Sequence, residues 1–433
     1  MIKSAHHAHH KQDDAADGAT PPPAGEYIAP VPRISVQAFC ESQKTFDIVK
    51  TATQDRRLGK AHATVKMGGV AAAIETYSSM PTPNVIILES TGREILDGLD
   101  ELASVCDPGT RVVVIGSEQD EVPYRELVRR GVNDYILGPI EILDIVRAIC
   151  SLFSASEAVV TGRIIAVIGA KGGVGASTVA HNVAWTIARD LALDSVVIDL
   201  DMAFGTASLD YNQDPLQNIA NAVFQPERPD TALMERLLAK CSEHLSLLAA
   251  PATLDRVYDF GVEAFDAIFD TMRMTTPCIV LDVPHQWSAW TRRTLISADD
   301  ILIVAEPDLA NLRNTKNLMT VLKAARPNDH PPLYCINQVG MHKRPEIDVK
   351  SFAKAIESAP VAAIPFDSKV FGTAANNGQM IVELSKNHRA SHIFQQIARQ
   401  LTGRLEPKKP RSLLSPVLDK LRGKPRRSTA NGM

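Results

Sequence analysis

A glycine-rich loop between a strand and a helix is the feature that most constrains this chain. Residues 169–178 read G-A-K-G-G-V-G-A-S-T, after the apolar run 164–168 and before the helix-like run 177–191. A strand, a glycine loop and a helix in this order present backbone N–H groups and a helix N-terminus to an anion. The pattern predicts a phosphate-binding loop after the first strand of a parallel α/β sheet.

The loop departs from the general pattern G-x-x-x-x-G-K-S/T at two positions. Ala170 replaces the first glycine, Ala176 replaces the lysine, and Lys171 remains near the start of the loop. The usual lysine offsets charge on the β- and γ-phosphates, so its loss predicts a cost of about 2–4 kcal/mol in transition-state stabilisation. Backbone N–H groups and Mg²⁺ would still hold a nucleotide. Three alternatives remain open. Turnover of the nucleotide is slow, or it depends on Lys171 supplied by a partner subunit, or the loop is kept only for its fold and no longer acts on nucleotide.

Composition indicates an ordinary soluble protein with room for more than one domain. The chain has 433 residues, of which 45% are hydrophobic and 22% are charged. Its net charge of −4 argues neither for nor against binding of nucleic acid. This length allows two or three domains. No apolar run approaches the roughly 20 residues of a membrane span, and the N-terminus lacks a secretory signal. Six scattered cysteines without a C-x-x-C pair favour a reducing cytosol, so we expect a cytoplasmic protein.

Two series of alternating strands and helices divide the chain, and each predicts a parallel sheet with helices on both faces. The predicted order is a disordered tail (1–32), a first α/β domain (33–153), a linker (154–162), a second α/β domain (163–402) and a basic tail (403–433). The predicted strands are 34–39, 63–66, 85–89, 111–116 and 134–137 in the first domain, and 164–168, 195–199, 245–248, 278–282, 301–305, 333–337 and 362–365 in the second.

Carboxylates follow two predicted strands of the second domain. Asp199 and Asp201 end the run 196–201, and Asp282 ends a later apolar run. Acids at strand ends beside a phosphate loop suit binding of Mg²⁺ and the orientation of a water, and Ser177 supplies a hydroxyl for the metal. A single strand-terminal Asp more often caps a helix or a turn. The order and spacing of the three acids behind the loop favour a nucleotide site.

These motifs resemble the MinD/ParA group of deviant Walker A ATPases over about residues 163–401. The resemblance implies ATP and Mg²⁺ as cofactors. It also implies a nucleotide-sandwich homodimer in which Lys171 reaches the partner's phosphates. The loop residues implied to bind the nucleotide are Gly172, Gly173, Val174, Gly175, Ala176, Ser177 and Thr178.

The same resemblance assigns roles to residues outside the loop. It implies that Asp199 and Asp282 help to hold the Mg²⁺ shell and that Asp201 positions the attacking water. Asn337 matches the asparagine that faces adenine, and Pro365 lies in a segment near the base.

Parts of the first domain resemble response-regulator receivers. Glu89 stands where the phosphoacceptor Asp is expected, Gly138 replaces the usual lysine, and only Glu41 is available for the acid pair. Without those groups no Mg²⁺-dependent phosphorylation site exists. We expect a pseudo-receiver of flavodoxin-like fold, used for docking or dimerisation. Glu89 is either a permanent mimic of the phosphorylated state or a structural carboxylate.

The C-terminal tail mixes basic and apolar residues over 407–427. Such a segment is typical of membrane-surface binding, and a disordered basic tail is the alternative. Nucleic-acid binding is a weaker option, because no aromatic residue lies among the charges. The apolar positions that would line one helical face are Leu413, Leu414, Val417, Leu418 and Leu421.

A pseudo-receiver ahead of a MinD-like domain with an Ala176 loop resembles the CpaE/TadZ family of Flp (tight-adherence, Tad) pilus assembly. The resemblance covers most of residues 33–401. It implies a bacterial cytoplasmic protein, often polar, that recruits the pilus secretion machinery to the inner membrane. We expect an ATP-binding dimer that acts as a spatial organiser.

Three other classes remain. A partitioning ATPase shares the fold, but we expect it to keep the loop lysine and to bind non-specific DNA in a salt-sensitive way. An enzyme like nitrogenase iron protein needs cluster-ligating cysteines, and Cys241 and Cys278 lack a matching context. If the protein is a nucleotide-independent scaffold, its dimers and polar foci should persist in the Lys171→Ala variant.

Overall fold

The computed structural model describes residues 27–90, 94–117, 124–154, 162–225, 228–254 and 256–403. The predicted N-terminal tail up to residue 26, most of the predicted linker, and the basic tail from residue 404 lie outside these residues. Within the described ranges, none of the helices combines the length and the apolar character that a membrane span requires.

The first domain is a five-stranded parallel sheet with the strand order β2-β1-β3-β4-β5. This is the order of flavodoxin-like folds, while the descent from receivers stays a prediction. Its elements are β1 (Ser35–Cys40), α1 (Gln43–Ala52), β2 (His62–Met67), α2 (Val70–Tyr77), β3 (Val85–Glu89), α3 (Glu94–Val105), β4 (Arg111–Gly116), α4 (Tyr124–Arg129), β5 (Val132–Leu137) and α5 (Ile142–Ser154).

The second domain is an eight-stranded sheet with the order β13-β12-β11-β6-β10-β7-β9-β8. The predicted parallel sheet is confirmed, and the two-residue β8, which is too short to leave a sequence pattern, pairs antiparallel with β9 at one edge. The strands are β6 (Arg163–Gly169), β7 (Ser195–Asp199), β8 (Ala239–Lys240), β9 (Leu245–Leu248), β10 (Cys278–Val283), β11 (Asp300–Ala305), β12 (Leu333–Val339) and β13 (Ala362–Pro365).

Helices cover both faces of this sheet, as its continuously apolar strands require. One face carries α6 and α16 and the other carries α10, α11 and α12. The helices are α6 (Ala176–Leu191), α7 (Ala207–Asp210), α8 (Ala220–Val223), α9 (Thr231–Leu237), α10 (Asp266–Thr275), α11 (Ala289–Ser297), α12 (Leu309–Ala325), α13 (Val349–Ile356), α14 (Ser368–Asn377), α15 (Ile381–Leu384) and α16 (Arg389–Leu401).

The two sheets face each other through their amino edges. The first domain contributes residues 55–60, which precede β2. The second domain contributes Gly162, Asp299 and Asp329, which precede β6, β11 and β12. Because the strands within each sheet are parallel apart from the short edge strand β8, the two carboxyl edges point away from each other.

Arginine and aspartate side chains fill this contact. The Nη1 of Arg56 lies 3.1 Å from the Oδ1 of Asp299, and its Nε contacts Asp329. Arg57 also pairs with Asp329. None of these four side chains is more than 11% exposed. The domains are therefore joined by buried ion pairs rather than by an apolar patch alone.

Second-domain cations complete the cluster. The Nη1 of Arg273 lies 2.6 Å from the Oδ2 of Asp299, and the Nε of Arg326 lies 2.7 Å from the Oδ2 of Asp329. Burial raises the pKa of the Asp329 carboxyl, but the charges of Arg56 and Arg326 outweigh burial and hold that pKa below its usual value. The same balance, led by Arg273, lowers the pKa of Asp299.

The segment before β1 also belongs to this contact. Tyr27 and Val31 fall within the predicted tail, yet the Tyr27 hydroxyl donates to the Gly162 carbonyl at 3.2 Å. Val31 is 2% exposed, and its N–H donates to the Arg57 carbonyl at 2.9 Å. The ordered first domain therefore begins before residue 33, because Tyr27 contacts the second domain and the Val31 side chain packs in the core of the first domain.

Breaking the buried cluster from one side should destabilise the protein. Asp329→Ala leaves Arg56, Arg57 and Arg326 facing one another without their shared carboxylate. We expect the free energy of unfolding to fall by about 3–5 kcal/mol, measured by urea denaturation followed by circular dichroism. Arg129→Ala, which removes an exposed pair with Glu126, is the matched control and should change little. Equal small effects of the two variants would contradict a buried interface.

Candidate functional site

The glycine loop leaves β6 at Gly169 and enters α6 at Ala176. Gly173 and Gly175 have φ values of +82° and +80°, in the region that favours glycine. A Cβ atom at Gly175 would also lie 2.6 Å from the Nδ2 of Asn337. Both the backbone angle and the close approach therefore require glycine at position 175.

Four side chains hold the loop by its carbonyl oxygens. They come from α12 and from the residues that end or follow β10 and β12. These contacts occupy carbonyl groups, so the loop's N–H groups are the part that a phosphate can reach. The donors are Asn337 Nδ2 to Val174 O (2.8 Å), Gln338 Nε2 to Gly173 O (3.2 Å), Asn314 Nδ2 to Ala170 O (2.8 Å) and His285 Nδ1 to Gly169 O (2.9 Å).

Two residues assigned to nucleotide binding also have a structural use. The Val174 side chain is 1% exposed and packs in the core, so only its backbone faces the site. The Asn337 amide is engaged on both sides, since its Nδ2 donates to Val174 and its Oδ1 accepts from Gln338 N. A contact from Asn337 to adenine stays a prediction. Pro365 ends β13 at the same edge of the sheet.

The first turn of α6 carries the remaining predicted loop residues. Ala176, Ser177 and Thr178 are all half-buried there, and Gly172 lies exposed at the mouth of the loop. The Ala176 methyl packs against the apolar core of the second domain. At the position of the usual lysine, this chain therefore has a small side chain that packs against the core.

Lys171 extends from the mouth of the loop. Its side chain is 50% exposed, and its Nζ lies 3.6 Å from the Oδ2 of Asp308. Asp308 caps the N-terminus of α12 by accepting the Asn311 N–H at 2.7 Å. A half-exposed lysine in a long ion pair with a capping carboxylate retains freedom to reach another partner.

The two predicted metal-facing acids are neighbours. Asp199 and Asp282 lie directly opposite each other at the ends of the paired strands β7 and β10, about 4.8 Å apart in backbone spacing. They are 1% and 4% exposed. Asp199 accepts the N–H groups of Asp201 and Ala207 at 3.0 and 3.1 Å. Burial, and next the charge of Asp282, raise the pKa of Asp199.

A buried histidine lies against this pair, and sequence reasoning missed it. His181 on α6 has no exposed surface, with its Nδ1 2.6 Å from Asp210 Oδ2 and its Nε2 3.2 Å from Asp282 Oδ2. Burial lowers the pKa of this imidazole, but the two carboxylates outweigh burial and raise it to about 10. A histidine within an otherwise apolar helix face, between Ala180 and Val183, was the available sequence signal.

Asp201 lies at the start of a tight turn. Its Oδ1 accepts the Phe204 N–H at 3.1 Å, and its carbonyl accepts the Gly205 N–H at 2.7 Å. The carboxylate is half-buried at the carboxyl edge of the sheet. It serves as a turn residue here, and its role toward an attacking water stays a prediction.

The donor set at this edge suits Mg²⁺. No group of three or more His, Cys, Asp or Glu side chains in the described ranges could hold a metal ion alone. Mg²⁺ beside a nucleotide typically takes one or two carboxylates and completes its shell with phosphates and waters. The hard oxygens of Asp282, Asp199 and the Ser177 hydroxyl fit that demand.

Loop, helix and strand-end acids together define a P-loop nucleotide-binding α/β domain. Comparison with known proteins narrows this class. Residues 162–333 match the AAA domain family model AAA_31. The septum site-determining protein MinD of Synechocystis sp. is 25% identical over 249 residues, which cover 56% of this chain and 90% of that protein. The second domain is thus a homologue of the MinD/ParA-type ATPases.

Two solved structures are also similar to parts of the chain. The MinD of Pyrococcus horikoshii, solved with Mg-ADP, is 18% identical, with a TM-score of 0.49, and covers 55% of this chain and 96% of that one. The pilus assembly protein CpaE of Caulobacter crescentus is 41% identical, with a TM-score of 0.28, and covers 29% of this chain and 98% of that one.

The carboxyl edge of the first domain has a different chemistry. The Glu89 carboxylate accepts the N–H groups of Glu41 and Ser42, both at 2.8 Å, and the hydroxyls of Ser42 and Thr45, both at 2.7 Å. Hydrogen-bond donors therefore surround the acid at the position where a receiver would gather acids around a cation. Glu89 is engaged as a structural carboxylate, the second of the two roles predicted for it.

A methyl group at Gly175 should disrupt the loop. Gly175→Ala combines a positive φ with a Cβ 2.6 Å from Asn337, whereas Gly172→Ala adds its methyl to open space. We expect Gly175→Ala to lower the free energy of unfolding by about 1–3 kcal/mol and Gly172→Ala to change it by far less. Thermal unfolding without nucleotide checks both variants, and similar melting temperatures would contradict the loop geometry.

Proposed function

We propose that this chain is an ATP-binding organiser of the Flp (Tad) pilus secretion machinery, acting as a homodimer closed over Mg·ATP at the inner membrane. The pilus assignment rests on the sequence resemblance, above all on the order of the two domains and on the Ala176 loop. The dimer proposal rests on one structural observation, the surroundings of Lys171. Nucleic acid has no part in the proposed function.

Exposed apolar side chains surround the nucleotide edge. Each lies in a segment that follows β7, β9, β10 or β11, so all of them belong to the carboxyl edge that carries the loop. Their exposed fractions run from 52% for Trp287 to 93% for Val257, so apolar surface is available at this edge for another protein to cover. The residues are Phe204, Leu254, Val257, Trp287 and Leu309.

In the proposed closed dimer, each of these groups has a task. The loop N–H groups bind the phosphates, and Ser177 with Asp282 holds the Mg²⁺ that offsets phosphate charge. Lys171 leaves Asp308 and crosses to the partner's phosphates, while the apolar surface is buried between the subunits. Binding and dimerisation then need no lysine at position 176, whereas rapid hydrolysis does.

Lys171→Ala should weaken nucleotide-dependent dimerisation. A charge-assisted hydrogen bond contributes about 1.5–3 kcal/mol, which predicts a 10- to 100-fold weaker dimer in Mg·ATP. Light scattering during an Mg·ATP titration of the full chain measures mass and saturation together. Lys323→Ala, an exposed lysine of α12 near its far end, is the matched control.

The outcomes of this titration separate the candidates. Saturable ATP binding with conversion of monomer to dimer, lost only in Lys171→Ala, supports the proposal. A constant mass without ATP binding would instead favour the second candidate, a nucleotide-independent scaffold. The observation in favour of that candidate is that Ala176 replaces the loop lysine. The loop would then be kept for its fold, and function would rest on docking surfaces.

Restoring the loop lysine should raise turnover. Ala176→Lys returns the group that offsets charge on the transferring phosphoryl, so we expect the ATP hydrolysis rate to rise by about 10²–10³-fold. Phosphate release at saturating Mg·ATP measures this rate. Ala176→Gln, similar in length but uncharged, is the control, and an equal gain in both variants would contradict a charge effect.

A further inference from the structure

A cluster of charged side chains lies near the glycine loop and has no task in the proposed dimer. It consists of Arg344, Glu306 and Glu346, which follow β11 and β12 at the carboxyl edge of the second domain. The Nη1 of Arg344 lies 3.0 Å from the Oε2 of Glu306, and its Nη2 lies 3.0 Å from the Oε1 of Glu346. The three side chains are between 16% and 21% exposed, so water and salt screen these ion pairs only in part.

This charged cluster fixes the segment that follows β12. The Glu346 carboxylate accepts the Gly340 N–H at 2.9 Å. Arg344 donates from its Nη2 to the carbonyl of Gln338. Because Glu306 comes directly after β11, the ion pair between Arg344 and Glu306 ties this segment to the end of the neighbouring strand.

Gln338 is the residue whose backbone the cluster holds in place. Its φ is +56°, in the left-handed region that costs free energy for a residue with a Cβ atom. The pairing of β12 with β13 also shifts its register between Ile336 and Val339, so Gln338 lies in a β-bulge. Such a conformation persists only where surrounding contacts fix it, and the hydrogen bond from Arg344 is one of those contacts.

The bulge aims two consecutive side chains at the glycine loop. In a regular strand, neighbouring side chains point to opposite faces of the sheet. Here the Asn337 Nδ2 donates to the Val174 carbonyl at 2.8 Å, and the Gln338 Nε2 donates to the Gly173 carbonyl at 3.2 Å. The irregular backbone at Gln338 therefore allows both amides to reach the loop.

We propose that Arg344 is a positioning residue of the nucleotide site. With its two glutamate partners, it keeps Gln338 in the left-handed conformation. Gln338 in turn fixes the Gly173 carbonyl, so that the N–H groups of the loop face the phosphates. The proposal deepens the proposed function, on which it rests for the identity of the ligand. A purely structural ion pair would stabilise the domain without acting on the loop through Gln338.

Arg344→Ala tests this role without any nucleotide. Loss of the guanidinium lets the bulge relax, so that the Gln338 amide leaves the loop. We expect the amide protons of residues 169–178 to exchange about fivefold faster, the change that the loss of one net hydrogen bond predicts. Hydrogen exchange of the full chain, followed by mass spectrometry of the peptide that covers these residues, measures the rate. Arg163→Ala, which breaks a similarly buried pair with Asp300 at the amino edge, is the matched control and should leave this rate unchanged.

Gln338→Gly separates positioning from stabilisation alone. Glycine adopts the left-handed conformation without strain, but it has no amide to reach Gly173. We expect this variant to melt at the temperature of the wild type or above it, while its loop exchanges about fivefold faster. Combining it with Arg344→Ala should add little to the exchange rate of the loop, because both changes remove the same contact.

Calorimetric titration of the same variants with Mg·ADP measures the effect on the ligand. The dissociation constant should rise about fivefold in Arg344→Ala and in Gln338→Gly, and by no more in the double variant. Arg163→Ala should bind Mg·ADP as the wild type does. If Arg344→Ala does not fold, Arg344→Lys replaces it with smaller effects in the same directions, because lysine keeps the charge but not the planar fork.

Unchanged exchange of the loop in Arg344→Ala would overturn the proposal. So would a double variant whose loop exchanges about 25-fold faster, since two independent effects multiply. A lower melting temperature of Gln338→Gly would also contradict it, because the residue would then not be held under strain. If the wild-type protein does not bind Mg·ADP while the exchange rates change as expected, the proposed function fails and the role of Arg344 in shaping the loop stands.

Discussion

The hydrogen bonds to the carbonyl oxygens of the glycine loop are the interaction on which the site depends. Asn337 and Gln338 approach from β12, Asn314 approaches from α12, and His285 approaches from the segment after β10, so several elements of the domain fix the shape of the loop. A lysine at position 176 is not needed for this shape. The chain has therefore lost a group that matters for phosphoryl transfer while keeping the cradle that matters for phosphate binding.

The sequence predicted the fold well because two kinds of pattern were present in it. Buried parallel strands leave long apolar runs, and the strand ends at Asp199 and Asp282 lie where those runs stop. The loop glycines were predictable because φ values such as that of Gly175 exclude most other residues. The two-residue β8 and the reach of Tyr27 into the domain contact left no comparable pattern, since pairing and aromatic packing over long separations have no local period.

The parts of the site that escaped prediction are contacts between distant segments. His181 and Asp210 are 29 residues apart, and His285 and Gly169 are 116 residues apart. Likewise, the hydrogen bond from the Asn337 amide to the Val174 carbonyl joins residues 163 positions apart, and the contact of Asn337 with adenine stays a prediction. A residue's type and place in a motif indicate which chemistry it can perform. Its partners follow only from tertiary packing.

The amino-edge contact between the domains has a geometric consequence. The first domain lies behind the second, held by Arg56, Arg57, Asp299 and Asp329, and its own carboxyl edge points away from the glycine loop. In the proposed dimer, the two subunits would carry their first domains outermost, facing opposite directions. Such a particle is bivalent by construction, so it can bridge two copies of a partner and gain avidity without any new contact.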